Sequence, residues 1–403
     1  MKTTQHSGSI TFAKGFLATG VACGIKKNGK SDLAVIYSES PATAAAVFTV
    51  NQVKAAPVLL SAKRIAQGSA RVVVVNAGNA NSCTGKRGMD DAVKTAALVG
   101  HHLGLPEKDI LVASTGVIGQ YLPMDKIQAG VEQACRHLTV EGGEEASRAI
   151  LTTDTFTKEY SITIQLGGKP VRLGGMAKGS GMIHPNMATL LGFITTDAAI
   201  AKEPLKQALA NAVDKSFHCI TVDGDTSTND MVLALANGRA GNKAVTSLAS
   251  ADGAKFQEAL TKVCQELARR VVLDGEGATK FIQLTVKNAP SFETARACAM
   301  SIAKSSLFKT AMFGMDANWG RILCALGNAP VELQPGKVDV AFGNLVVAKG
   351  GAAVNFSEAK ALGLLKRKEV EVTVDLHLGK HEAVVFTSDL SYDYVKINAS
   401  YRS

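Results

Sequence analysis

The sequence predicts a mixed α/β protein in which helices cover sheets, and three observations predict it. Short apolar runs at residues 33–37 (LAVIY), 72–75 (VVVV) and 110–113 (ILVA) alternate with segments whose apolar residues recur at helical spacing. Residues 370–376 (VEVTVDL) alternate with the two-residue period of a half-buried strand. Two of the apolar runs lead straight into polar, glycine-containing segments, the strand-then-loop context in which α/β folds place chemistry.

The elements follow in order. The run at 72–75 enters a loop at 76–85 (NAGNANSCTG), and a helix is expected from about Asp91 until Gly104 and Pro106 stop it. The run at 110–113 ends in a loop at 114–119 (STGVIG), after which Ile127, Val131, Ala134 and Leu138 mark a helix face. Residues 160–166 read as a strand, 174–188 (GGMAKGSGMIHPNMA) as a loop, and 189–196 (TLLGFITT) as a strand that begins abruptly at a threonine. Leu205, Leu209 and Val213 give one helix face, and Phe256, Leu260, Val263 and Leu267 a longer one. Late strands are expected at 281–286 and 370–376, with a helical stretch at 292–308 between them. A boundary near 287–291 (KNAPS) marks off a smaller C-terminal α/β layer over about 290–403.

Composition narrows the function. The 403 residues are 46% hydrophobic with only 10 prolines, which excludes disorder and fibres. The net charge of +9 is spread along the chain without a basic block, so it describes a solvated surface and no nucleic-acid stripe. Seven cysteines, an odd number with no CxxC pair, argue against a disulfide framework or a structural zinc. The N-terminal residues resemble neither a signal nor a transit peptide, and no apolar run reaches membrane-spanning length, so a cytoplasmic protein is expected.

Phosphate-loop, GxSxG and HExxH motifs are absent, and Gly275-Glu276-Gly277 lacks the third glycine of a dinucleotide fingerprint. His101, His102, His377 and His381 lack an accompanying carboxylate or cysteine cluster and read as surface or packing residues. The acidic loop at 223–230 (DGDTSTND) lacks EF-hand spacing and reads as a hydrogen-bonded structural loop. The unusual segment is 178–189 (KGSGMIHPNMAT), where glycines and a proline constrain the backbone and a small Ala188 precedes Thr189. Self-cleavage between them would free a threonine whose α-amine, with a reference pKa of about 7.7–8.0, serves as base for its own hydroxyl. Spacing alone favours a glycine-rich turn entering a buried strand whose first residue is threonine. The tripeptide Ser114-Thr115-Gly116 offers a hydroxyl and a backbone N–H for an oxyanion, or an ordinary turn, and Glu276 an ammonium partner, or a capping or solvated carboxylate.

Taken together, nine segments resemble the glutamate/ornithine N-acetyltransferase family of arginine biosynthesis: GSITFAKGF, NAGNANSCTG, ASTGVIG, LTTDTFTK, KGSGMIHPNMATLL, VDGDTSTND, LDGEGATKF, FGMDANWGRIL and YVKINASYRS. They run through nearly the whole chain in the family's order, and the MATLL and DGEGATK segments are the specific pair. The resemblance implies cleavage between Ala188 and Thr189, giving chains 1–188 and 189–403. It implies acetyl transfer through Thr189, with Thr115 and Gly116 as the oxyanion hole. Thr155, Lys178, Thr189, Glu276, Asn398 and Ser403 match the family's substrate-contacting positions. The terminal Ser403 stands where some relatives have threonine and keeps the hydroxyl.

The same resemblance implies an αββα-type sandwich akin to N-terminal-nucleophile enzymes, assembled from two α and two β chains. The substrates implied are N2-acetylornithine and glutamate, with acetyl-CoA left open as a second donor; no metal or bound cofactor is implied, nor a membrane or nucleic-acid partner. Lys178 is expected to meet a substrate α-carboxylate and Glu276 the side-chain ammonium of ornithine. The rival readings are an amidase or aminopeptidase with the same self-made threonine, and a non-catalytic binding protein that stays in one piece.

Overall fold

Continuous apolar runs such as VVVV need two buried faces, and the sheet that holds them has both. The structure, a computed structural model, describes residues 4–6, 9–184 and 190–399. The chain divides into two compact units, the first taking Met1–Met182, Asn186–His218 and Asp225–Val271.

The first unit holds a nine-stranded sheet. Its order is Thr4–His6, Lys158–Leu166, Lys169–Lys178, Leu191–Thr196, Met231–Ala236, Leu33–Phe48, Ser69–Asn79 and Ile110–Val117, with Phe16–Val21 paired to Leu33–Phe48 off this path. Leu191–Thr196 runs parallel to Met231–Ala236, and Ser69–Asn79 parallel to Ile110–Val117; the other pairs are antiparallel. Successive residues feed opposite cores. Leu33, Val35, Val72, Val74, Ile110 and Val112 join the buried faces of helices Ala56–Ile65, Gly85–Leu103 and Met124–Arg136. Ala34, Ile36, Val73, Val75, Leu111 and Ala113 join a second core with Met176, Phe193 and Leu233.

The second unit takes Ile183–Pro185, Cys219–Gly224 and Val272–Ser403. Its seven-stranded sheet runs Ala352–Ala353, Leu345–Lys349, Asp339–Phe342, Glu369–Asp375, Phe281–Ala289, His381–Ser388 and Ile220–Thr221. Ile282, Leu284 and Val286, like Val370, Val372 and Val374, point into one core shared with helices Phe292–Ala303, Ser306–Phe313 and Trp319–Gly327. The clean alternation of these strands belongs to a sheet packed on one face.

Several expected loops are strand. The loop expected at 76–85 is strand as far as Asn79, and the helix expected from Asp91 begins at Gly85; it ends as expected, on a left-handed Gly104. The strand at Ile110 continues through Ser114, Thr115 and Gly116 to Val117. The loop expected from Gly174 begins only after Lys178. The first two of its glycines are packing glycines, since a Cβ on Gly174 would lie 2.2 Å from the Ser9 carbonyl oxygen and one on Gly175 2.9 Å from Leu267. The 292–308 stretch breaks into two helices, with Ser305 capping the second by accepting from the Phe308 N–H. The strand expected to begin at Thr189 is described from Leu191; Thr189 itself, with Ala188 and Ser403, lies outside the described residues.

Candidate active site

Parallel strands Ser69–Asn79 and Ile110–Val117 end side by side, the place where α/β sheets gather functional groups. Their register slips at Gly78 and Asn79, so that Thr115 faces both Ala77 and Asn79. Gly116 has φ +132°, and a Cβ there would lie 2.3 Å from the Gly78 carbonyl carbon and 2.5 Å from the Asn79 nitrogen. Only glycine fits. The buried Ser114 hydroxyl donates to Asn76 Oδ1 (2.5 Å), and Asn229 Nδ2 donates to the carbonyls of Ala80 (2.6 Å) and Ser114 (2.8 Å). These bonds fix the backbone on either side of Thr115, whose side chain is 1% exposed.

A buried charge cluster meets this strand end. Lys178, the last residue of its strand, has its ammonium 2.8 Å from Thr152 Oγ1, 3.4 Å from Thr115 Oγ1 and 3.7 Å from Asp154 Oδ2. Asp154 Oδ1 accepts from Lys158 Nζ and from the Gly179 N–H, both at 2.7 Å, and Oδ2 accepts from the Thr152 N–H at 3.0 Å. Burial pushes the Asp154 carboxyl up, but the charges of Lys178 and Lys158 outweigh it and hold the group well below the usual carboxylate range. Thr155, the next residue, is exposed. Lys26 lays its stem against Gly78 and donates to the carbonyls of Ser31 (2.6 Å) and Ala149 (3.2 Å), and burial lowers its ammonium to about 8.

The described chain resumes at Leu190, whose N–H donates to Asp230 Oδ1 at 2.8 Å. Among the described residues, Asp230 Oδ2 is buried without a hydrogen-bond partner. Burial drives this carboxyl well above its ordinary value, against the opposing pull of the Leu190 N–H, Ser227 and the Lys178 charge. Asp230 therefore stands within electrostatic range of Lys178.

In the second unit, Glu276 is 9% exposed and its Oε2 accepts from Asn398 Nδ2 at 2.9 Å. This contact depends on Gly277, with φ +64°, because a Cβ there would lie 2.3 Å from the Tyr394 nitrogen of helix Tyr392–Ala399. Tyr394 in turn donates its hydroxyl to Asp223 Oδ2 at 3.2 Å. Glu276 and Asn398, expected separately, are thus joined in one unit, and Thr115, Gly116 and Lys178 in the other. Sequence reasoning missed Thr152, Asp154, Lys158, Asn229 and Asp230. The only signal was their placement inside the TTDTFTK and DGDTSTND segments. Among the described residues no three His, Cys, Asp or Glu side chains are grouped to hold a metal, and no helix is long and apolar enough to cross a membrane.

Comparison with known proteins places the chain. The ArgJ family pattern matches residues 17–403. The arginine biosynthesis bifunctional protein ArgJ of Symbiobacterium thermophilum is 51% identical over 399 residues, covering 98% of this chain and 99% of that protein. The protein of the same name from Geobacter sulfurreducens is 50% identical over 391 residues, covering 97% and 99%. That of Caldanaerobacter subterraneus is 48% identical over 400 residues, covering 98% and 99%. With identity this high over almost the full length of each protein, the chain belongs to the ArgJ family, the bifunctional ornithine/glutamate acyltransferases of arginine biosynthesis.

Proposed function

We propose that the chain cuts itself between Ala188 and Thr189 and then carries acetyl from N2-acetylornithine to glutamate on the Thr189 hydroxyl. The observation that carries this reading is the buried Thr115 hydroxyl beside the obligatory Gly116, with the Lys178 ammonium 3.4 Å from Thr115 Oγ1. That is a donor set suited to a negatively charged tetrahedral intermediate.

In self-cleavage, Thr189 Oγ bonds to the Ala188 carbonyl carbon, the carbon–nitrogen bond breaks, and the hydroxyl proton passes to nitrogen. Water then hydrolyses the ester, leaving the Ala188 carboxylate and a threonine with free amine and hydroxyl. In transfer, the Thr189 amine takes the hydroxyl proton as Oγ attacks the acetyl carbonyl, and the electron pair moves to oxygen, where Thr115 and Gly116 donate. Collapse expels ornithine, whose nitrogen takes the proton. Glutamate's amine repeats the sequence on acetyl-Thr189, giving N-acetylglutamate and the free hydroxyl. A shared covalent intermediate lets one pocket serve two amino acids in turn.

Glu276 and Asn398 form a polar pair for the ornithine ammonium, and Thr155, Lys178 and Ser403 complete the substrate contacts. The working particle in this reading is cytoplasmic, with two chains of 1–188 and two of 189–403 arranged as αββα sandwiches. Acetyl-CoA is a second donor to be assayed beside acetylornithine.

Denaturing intact-mass analysis with N-terminal sequencing tests the core of the reading. A fragment beginning Thr189-Leu190-Leu191 supports it, and Thr189→Ala is expected to abolish both cutting and transfer, while Thr189→Ser keeps some of each. An unbroken chain in turning-over enzyme refutes the threonine mechanism. If added glutamate fails to divert acetyl from acetate to acetylglutamate, the enzyme is an amidase instead.

A further inference from the structure

The turn that carries Glu276 is flanked by Gly275 and Gly277, and glycine has the widest conformational range of any residue. A carboxylate on such a turn loses that freedom when an ammonium binds, unless the fold has removed it beforehand. Here the fold removes it. Ser391 Oγ donates to the Gly277 carbonyl at 2.5 Å, and Asp389 Oδ1 accepts from the N–H groups of Thr279 (2.8 Å) and Lys280 (2.9 Å). Asp389 Oδ2 accepts from the Thr279 hydroxyl, and Asn398 Nδ2 reaches the Glu276 carboxylate itself. One short stretch, residues 389–398, thus holds the turn at its middle, at its exit and at its side chain.

The two ends of that stretch are held differently. Its base is buried, with Thr387, Ser388, Asp389 and Ser391 each at most 5% exposed. The buried Lys309 ammonium, from helix Ser306–Phe313, donates to Thr387 Oγ1 and Ser388 Oγ, both at 3.2 Å, and to the Ser388 carbonyl. Three acceptors thus meet the three protons of an ammonium. The Leu390 N–H donates in return to the Lys309 carbonyl at 3.3 Å. Beyond this base, helix Tyr392–Ala399 has no buried residue, and its 8 residues fall short of the roughly 12–15 at which an isolated helix is even marginal in water. Ser391 joins the two parts. Its hydroxyl accepts from the Tyr394 N–H at 3.3 Å, capping the helix, while it donates to Gly277. A single hydroxyl therefore sets the helix bearing Asn398 against the turn bearing Glu276.

We propose that Ser391 and Asp389 are positioning residues for donor recognition, holding the Glu276 carboxylate and the Asn398 amide together as a preformed receptor for the side-chain ammonium of acetylornithine. This rests on the reading above in which Glu276 meets that ammonium. The two residues act through the turn and the helix, and no bond is made or broken at either. Glutamate has no side-chain ammonium, so the receptor serves the donor and not the acceptor. Loosening it falls on KM for acetylornithine, because the receptor must then be ordered at the moment of binding.

The test is a double-mutant cycle on the full chain, with acetylornithine and glutamate as substrates. Ser391→Ala removes the shared hydroxyl and is expected to raise KM for acetylornithine about 5-fold, the fold-change of one net hydrogen bond, with kcat and KM for glutamate near wild type. In a Glu276→Gln background the same change is expected to have much less effect, since the charge it positions is already gone. Equal losses in the two backgrounds overturn the proposal. So do losses spread evenly over kcat and both KM values, the mark of a general structural defect.

Thr279→Val supplies a second readout. It deletes only the hydroxyl bond to Asp389 and is expected to raise the same KM while sparing the one for glutamate. If Ser391→Ala does not fold, this variant decides, and an unchanged KM for acetylornithine overturns the proposal. If Glu276→Gln alone leaves that KM unaltered, the ammonium reading itself falls; if Glu276→Gln raises it and the positioning variants do not, this inference alone falls.

Discussion

Asn229 and Ser114 stand 115 positions apart in the chain, and the side-chain amide of the first donates to the carbonyl of the second at 2.8 Å. The same amide reaches the Ala80 carbonyl, while the neighbouring Asp230 holds the Leu190 N–H. Two consecutive residues therefore tie the strand ends carrying Thr115 to the start of the strand that follows Thr189.

Removing the first tie should loosen the proposed oxyanion donors, Thr115 and Gly116, without touching substrate. Asn229→Ala leaves two buried carbonyls without this donor, at a cost of about 1–3 kcal/mol of stability. A lower melting temperature and a reduced kcat at nearly constant KM are expected. Unchanged turnover in a destabilised protein would confine Asn229 to a structural role.

Gly116→Ala should be far more damaging than its size suggests. The added carbon would lie 2.3 Å from the Gly78 backbone at a φ that side chains rarely adopt, and strain and overpacking each cost on the order of 1–3 kcal/mol. The readouts are thermal melting and kcat. Wild-type values for both would mean that the two strand ends separate more easily than the close pairing implies.

Asp230 and Asp154 make opposite contributions to pH stability. Burial raises the Asp230 carboxyl, so the folded protein keeps a proton that the unfolded chain loses above about 3.9. Its contribution is complete below that pH and is lost as pH rises through the folded value. Asp154 is depressed by its lysines, so its contribution is present at neutral pH and lost as acid titrates it. Asp230→Asn should accordingly melt higher than wild type near pH 8, with the gap closing toward pH 4. A gap that does not change with pH contradicts the assignment.

Glu276→Gln keeps an oxygen for the Asn398 amide and removes the charge. An exposed-to-buried ammonium partner lost in this way should raise KM for acetylornithine about 10-fold while leaving KM for glutamate close to wild type. An unaltered KM for acetylornithine removes Glu276 from ammonium recognition.

Much of the fold was legible in the sequence where apolar residues dictate it. The runs at 33–37, 72–75 and 110–113 all lie within strands, and Leu205, Leu209 and Val213 line the buried face of Lys202–Asp214. Strand ends built from polar or glycine residues were not legible. Asn76–Asn79 and Gly174–Lys178 carry loop-like composition but are held by neighbouring strands and by close packing, a tertiary effect that local propensity does not register. Burial of Lys158 and Lys178 was equally hidden. A lysine in a sequence is a surface residue until a carboxylate such as Asp154 is found beside it.

The hydrogen bonds on either side of residues 185–189 also bear on what would follow the proposed cut. Ile183 donates to Asp223 Oδ1 and accepts from the Val222 N–H and the Thr221 hydroxyl, while Leu190 is held by Asp230 and Met231. A break between positions 184 and 190 would leave Ile183 bonded to residues 221–223 and Leu190 to residues 230–231. Under the proposed scission, the covalent inventory would change while these local hydrogen bonds persist.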